Sequence, residues 1–195
     1  MSFTFQSEQV KLRSFDHSDA PAWMEMLNHP GLSERRYLAE QYPAAAPLSA
    51  RQVAALIDEW QAYEHGLQLA VMRLPEDKLV GYLSLDWGWD PHAPDLSLVM
   101  APEHQRQGLG SQVLQLALRY LFLETPAYNV GADWVADWNQ PAWNFLQKHG
   151  FKPCGVVRYA GQHNGRPYSA LAADLLRSEW LDGQTALGDA GSHGD

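Results

Sequence analysis

The residues most able to do chemistry here are Gln105, Arg106, Gln107, Gly108, Leu109, Gly110 and Ser111, which follow Pro102-Glu103. They lie between an apolar run, 95–100, and a strongly amphipathic stretch from 110 to about 123. A strand-to-helix junction aims unpaired backbone N–H groups at one point, and the helix dipole adds partial positive charge. Gly108 and Gly110 let the chain turn sharply and let a bulky anion approach the backbone. Arg106 adds a charged contact. The chemistry this pattern offers is binding of a pyrophosphate. A tight turn with no ligand is the plainer reading, and the spacing alone leaves both open. Two other phosphate loops are excluded, because the chain has neither Gly-x-x-x-x-Gly-Lys-Ser/Thr nor Gly-x-Gly-x-x-Gly.

A second constellation is Asp86-Trp87-Gly88-Trp89-Asp90. Two indoles beside two carboxylates suit a cation held by aromatic faces and a counter-charge. Core and rim packing is the competing account. The eight histidines show no metal-ligand spacing such as His-x-x-x-His, so no metal is expected and most of them are read as surface residues. The single cysteine, Cys154, excludes an internal disulfide and a multi-cysteine metal site, and it reads as a buried, inert thiol.

These residues need elements to hold them. Hydrophobic periodicity predicts a strand over 10–15, then a helix to about 27 capped by Asp16 or Ser18. The proline-broken stretch 29–47 holds at most a short helix. Ser49 caps a helix reaching about 65, ended by Gly66. Strands follow over 68–74, 78–87 and 95–100, the first two joined at Pro75-Glu76-Asp77. After the Gly-rich turn come the helix at 110–123, a strand at 130–136 and a helix at 139–149, capped by Asn139 and closed by Gly150. A last hairpin, 155–163 and 166–175, turns at Asn164-Gly165, the strongest short turn signal available. Crossovers and hairpins together require a mixed sheet.

Composition sets the limits. With 195 residues and 46% apolar content, the chain suits one domain with a real core, here residues 1–181. Residues 182–195, rich in Gly and Asp, read as a flexible tail. A net charge of −9 disfavours nucleic acid and mildly favours a cationic partner, though acidity also simply aids solubility. No apolar run approaches the roughly 20 residues of a membrane span. The start lacks a secretory pattern, so a cytoplasmic protein, monomer or homodimer, is expected.

Taken in order, Gln105-x-x-Gly108-x-Gly110 after Pro102-Glu103 resembles the acetyl-CoA loop of the GNAT superfamily of N-acetyltransferases. Asn139, Ala142, Phe145, Leu146 and Gly150-Phe151 resemble that family's second cofactor element. The opening Leu12-Arg13-Ser14-Phe15-Asp16 and the ending from Asn164 to Trp180 are similar to its branch of ribosomal-protein N-terminal acetyltransferases. The resemblance covers about residues 10–180. It implies an α/β (α+β) fold: a mixed, mostly antiparallel twisted sheet of about seven strands, helices on both faces, and a splay between strands 95–100 and 130–136. Acetyl-CoA would be the cosubstrate. Its pantetheine arm would pair with the backbone of Leu98, Val99 and Met100 and meet Asn139, and its pyrophosphate would rest on 105–110.

The same resemblance implies direct attack of an amine on the thioester. The backbone N–H of Met100 would stabilise the oxyanion. Asp95 would be the base, where this branch usually has Glu; a solvated strand-end carboxylate is the alternative. Asp86, Asp90, His92 and His104 are lesser candidates. The acid is open, because many relatives have Tyr where this chain has Leu146, and the branch often has Ser where it has Ala142. Tyr128, Tyr159, Tyr168 or water remain. Trp87, Trp89, Trp134, Trp138 and Trp143 are expected around the acetyl site, most of them as core packing, and the 86–90 loop beside the acceptor. Two other functions share this pattern: a non-catalytic acyl-CoA sensor, and transfer of a different acyl group.

Overall fold

A computed structural model describes residues 5–32, 47–88 and 90–191. Most of the proline-broken stretch 29–47, residues 33–46, therefore lies outside the described residues, as does Trp89. The strands are β1 (Phe5–Gln6), β2 (Val10–Ser14), β3 (Gly66–Arg73), β4 (Lys78–Asp86), β5 (Asp95–Met100), β6 (Asn129–Ala136), β7 (Lys152–His163) and β8 (Arg166–Leu176). The helices are α1 (Ala20–Leu27), α2 (Ala50–Ala62), α3 (Leu109–Glu124), α4 (Gln140–Lys148) and α5 (Arg177–Gly191). The described residues thus form a mixed α/β fold with a mostly antiparallel sheet. It has eight strands against the expected seven, the addition being the two-residue edge β1. Helix α5 continues through residues 182–191, which read as tail from composition.

Two compact units partition the chain, 1–88 with 97–119, and 89–96 with 120–195. In the first, β1 pairs with β2, β2 with β3 and β3 with β4, all antiparallel. Its core joins Phe15, Trp23 and Leu27 to Val53, Leu56 and Ile57 of α2 and to Ala70, Met72, Tyr82 and Val99 of the sheet. The helix pattern predicted for α2 is the one that packs here. Ser49 begins that helix through a capping box with Gln52. Gly66 does not end it, contrary to expectation. Tyr63 already leaves the helix in an extended conformation, and Gly66 opens β3. A Cβ there would fall 2.7 Å from the Tyr63 ring, so the glycine serves close packing rather than a helix stop.

In the second unit, β8 lies between β6 and β7, antiparallel to both. Asn164 and Gly165 take φ of 51° and 71°, the left-handed pair that a two-residue hairpin turn requires. Helix α4 ends as its sequence dictates. Gly150, at φ 90°, donates to Gln147 O, and Phe151 donates to Leu146 O. This is the double closure that glycine permits just past a helix end, and the buried Phe151 completes it. Residues 152–159 of β7 are all exposed. Cys154 is therefore exposed, correcting the buried, inert thiol expected at this strand start.

Candidate active site

The 105–110 loop lies in the first unit. Strand β5 ends at Met100, a 3-10 turn covers Pro102–His104, and α3 begins at Leu109. Val99 and Met100 are buried and Leu98 is half-buried. The strand is held tightly, since a Cβ on Gly81 would fall 2.5 Å from Val99 O. Side chains tie the loop to its own backbone. Gln105 Nε2 donates to Met100 O at 2.9 Å, and Gln107 Nε2 donates to Glu103 O at 2.7 Å.

Arg106 and Gly108 both take positive φ, 59° and 81°. An arginine rarely adopts this conformation, so the loop is held in shape by its surroundings. Nothing lies within 4 Å of where a Cβ on Gly108 would point. The first helical bond of α3 is Gln112 N–H to Gly108 O, so the amides of the first turn have no intrahelical partner. Open space, a bare glycine and amide donors at a helix start fit a phosphate-bearing ligand.

His104, a lesser base candidate, is buried at 8% exposure. Its Nδ1 accepts from Arg73 Nη1 at 3.2 Å. A guanidinium only donates, so the imidazole is neutral and carries its proton on Nε2. Burial, followed by nearby Lys78, holds its pKa below the ordinary value. It is a structural histidine of the loop rather than an exposed base.

The candidate base lies in the second unit. Asp95 is the first residue of β5 and pairs in parallel with Gly131 of β6. It is half-buried. A Cβ on Gly131 would fall 2.2 Å from Asp95 Oδ1, so the carboxylate lies over the glycine and only glycine leaves room for it. Nothing local in the sequence pointed to Gly131, because the pairing joins residues 36 positions apart.

Asn139 occupies the N-cap of α4, as expected, but its side chain makes no capping hydrogen bond. Its backbone sits at φ −88°, ψ 58°, outside the geometry in which a cap side chain folds back. Within α4, Ala142 is half-buried and Leu146 buried. Strand β6 carries a bulge between Ala132 and Val135, where Trp134 takes φ 61° and is 55% exposed. Trp138 stacks on His163 at 4.1 Å and meets Tyr168 edge-on. Trp143 is half-buried. Tyr128 stacks on His92, and Tyr159 is 82% exposed on β7.

The acidic pair of the aromatic loop is already engaged on both sides. In the first unit, Asp86 accepts from Tyr63 Oη at 3.1 Å and from Gly88 N at 2.7 Å. Trp87 is half-buried, and its backbone N–H donates to His65 O. In the second, Asp90 accepts from the backbone N–H of His92 at 2.8 Å and lies 3.0 Å from its ring Nδ1. Those bonds, the backbone one first, hold its carboxyl below the usual range.

A family model described as Acetyltransferase (GNAT) family matches residues 33–151. The chain belongs to the GNAT acetyltransferase family. Among its relatives, the uncharacterized N-acetyltransferase YoaA of Bacillus subtilis (strain 168) is 25% identical over 174 residues, covering 88% of this chain and 96% of that protein. The GNAT-family acetyltransferase structure from Bacillus anthracis aligns at a TM-score of 0.75 and 17% identity, over 90% of this chain and 99% of the other. The spermidine/spermine N-acetyltransferase SpeG from Vibrio cholerae aligns at 0.69 and 20%, over 89% and 96%. At these identities the structures share the GNAT fold. GNAT enzymes use acetyl-CoA as cosubstrate. Among the described residues, no group of three or more His, Cys, Asp or Glu is arranged to hold a metal, and no helix is long and apolar enough to cross a membrane.

Proposed function

We propose that this GNAT protein transfers the acetyl group of acetyl-CoA to a primary amine, in the branch that resembles ribosomal-protein N-terminal acetyltransferases. The observation that carries the reading is the 105–110 loop, with Gly108 open at φ 81° beside the start of α3. In this reading Gln105, Arg106, Gln107, Gly108, Leu109, Gly110 and Ser111 hold the pyrophosphate. The backbone of Leu98, Val99 and Met100 pairs with the pantetheine arm. Asn139, whose side chain is not spent on capping, hydrogen-bonds the same arm.

The bound thioester supplies the electrophile. An alkyl amine with a pKa near ~10.4 arrives protonated, so it must lose a proton before attack. Asp95 takes that proton, directly or through a water. The Met100 N–H stabilises the oxyanion, and its collapse breaks the C–S bond, the departing CoA thiolate taking up the second proton from the attacking nitrogen. The acceptor is a cationic amine that enters by the 86–90 loop, drawn by the acidic side chains Asp86 and Asp90. An amine panel with acetyl-CoA, read by free-thiol release, tests this. Steady release is expected, with diamines and basic peptides outperforming neutral-tailed amines of equal length. That preference should shrink at high salt and in Asp86→Asn/Asp90→Asn. Binding of acetyl-CoA without release for any amine favours the second reading, a non-catalytic acyl-CoA sensor. The observation behind that reading is that Leu146 and Ala142 lack the hydroxyls relatives place there.

A further inference from the structure

Arg73 ends β3, far in sequence from the cofactor loop, and nothing in the family pattern singles it out. Its Nη1 donates to His104 Nδ1 at 3.2 Å and lies 3.1 Å from Gln107 Oε1, to which it also donates. Both acceptors are neutral and both belong to the loop. The Gln107 amide is fixed in turn by its donation to Glu103 O. Arg73 is half-buried. Among the described residues no carboxylate comes within ion-pair distance of it, and its Nε and Nη2 hydrogen-bond to no protein group.

Arg13, in the same unit, shows what a satisfied guanidinium looks like here. It forks onto Asp19 through two bonds of 2.7 Å. A guanidinium offers five donors in a planar fork that matches phosphate oxygens in pairs. Arg73 uses one nitrogen to grip the loop and leaves the rest of the fork open. His104 pays for this grip, since its Nε2 is buried without a partner. An unpartnered buried donor costs about 1–3 kcal/mol. Lys78 adds positive charge nearby, while Glu76 and Glu103 oppose it.

We propose that Arg73 is the side-chain cation for a phosphate group of the cosubstrate, and that His104 and Gln107 are positioning residues that hold it against the loop. The assignment rests on the reading that 105–110 binds acetyl-CoA. It adds a contact from β3, outside the loop itself, and gives His104 a function as acceptor.

Calorimetry with CoA, 3′-dephospho-CoA and pantetheine tests it, on the wild type and on Arg73→Gln, Arg73→Lys, His104→Asn and His104→Leu. Arg73→Gln should weaken CoA roughly 10- to 100-fold and leave pantetheine unchanged, because a charge-assisted bond is lost only where phosphate is present. The salt dependence of CoA binding should become shallower. Arg73→Lys should recover part of the affinity, which keeps the test valid if the glutamine variant folds poorly. His104→Asn, which retains an acceptor, should bind CoA better than His104→Leu. If the Arg73 effect vanishes with 3′-dephospho-CoA, the partner is the 3′-phosphate; if it persists, the diphosphate. Wild-type protein that ignores CoA would overturn the acetyl-CoA reading and this proposal with it. Wild type that binds CoA, beside an Arg73→Gln variant of equal affinity and salt slope, would overturn the role of Arg73 alone.

Discussion

The loop from Ala101 to Gly110 and the pair Asp95–Gly131 are built by opposite means. The loop is tied by side chains to its own neighbourhood: Gln105 to Met100, Gln107 to Glu103, and Arg73 to His104 and Gln107. Its backbone shape is over-determined, which is how Arg106 can hold a positive φ. Asp95 pairs with Gly131 across the sheet and needs an absence there, the missing Cβ of that glycine. A binding loop can spread its precision over many weak bonds. A carboxylate lying over a glycine needs the room that the missing Cβ leaves. The loop should therefore lose affinity gradually under mutation, and the carboxylate should lose rate abruptly.

The largest effect belongs to the carboxylate. Asp95→Asn should lower the acetylation rate by ~10²–10⁴-fold with little change in acetyl-CoA affinity, because a general base acts on the chemical step. Turnover matching the wild type from pH 6 to 9 would remove Asp95 from the mechanism. Gly131→Ala should reproduce part of that loss, since its Cβ displaces the carboxylate. The same substitution should cost little further rate in an Asp95→Ala background. Equal losses in both backgrounds would show that Gly131 acts on the fold and not through Asp95.

Next comes the loop. Gly108→Val fills the open space and strains a φ of 81°, which costs a β-branched residue on the order of 1–3 kcal/mol. The apparent KM for acetyl-CoA should rise while kcat at saturation stays near the wild-type value. Unchanged affinity by calorimetry would end the assignment of this turn to the cosubstrate.

The smallest effect on stability is expected at Asn139. A working N-cap replaced by Ala loses about 1 kcal/mol, but this side chain makes no capping bond. Asn139→Ala should therefore leave the denaturation midpoint nearly unchanged and still weaken binding of acetyl-CoA and of pantetheine. A stability loss of full capping size, with normal ligand affinity, would return Asn139 to a structural role.

Much of this protein is settled over short stretches of chain. Asn164-Gly165 makes its hairpin turn, Ser49 with Gln52 opens α2, and Gly150-Phe151 closes α4. Each involves residues within five positions of one another, so side-chain type and spacing are enough to specify it. The 105–110 loop is legible for the same reason: its glycines and the helix after it are contiguous. The rest depends on strand register and on which face an element turns outward, and local spacing carries neither. That Cys154 is exposed follows from the outward position of β7. That Asn139 does not cap follows from the angle at which the chain enters α4. That Gly131 makes room for Asp95, and that Arg73 reaches His104 across 31 residues, follow from pairings settled only when the sheet is assembled. The sequence by itself therefore determined the elements, the turn and the family. The tertiary structure decided which side chains stand together, because contact between distant residues is set by the sum of all the packing and not by either residue's own neighbours.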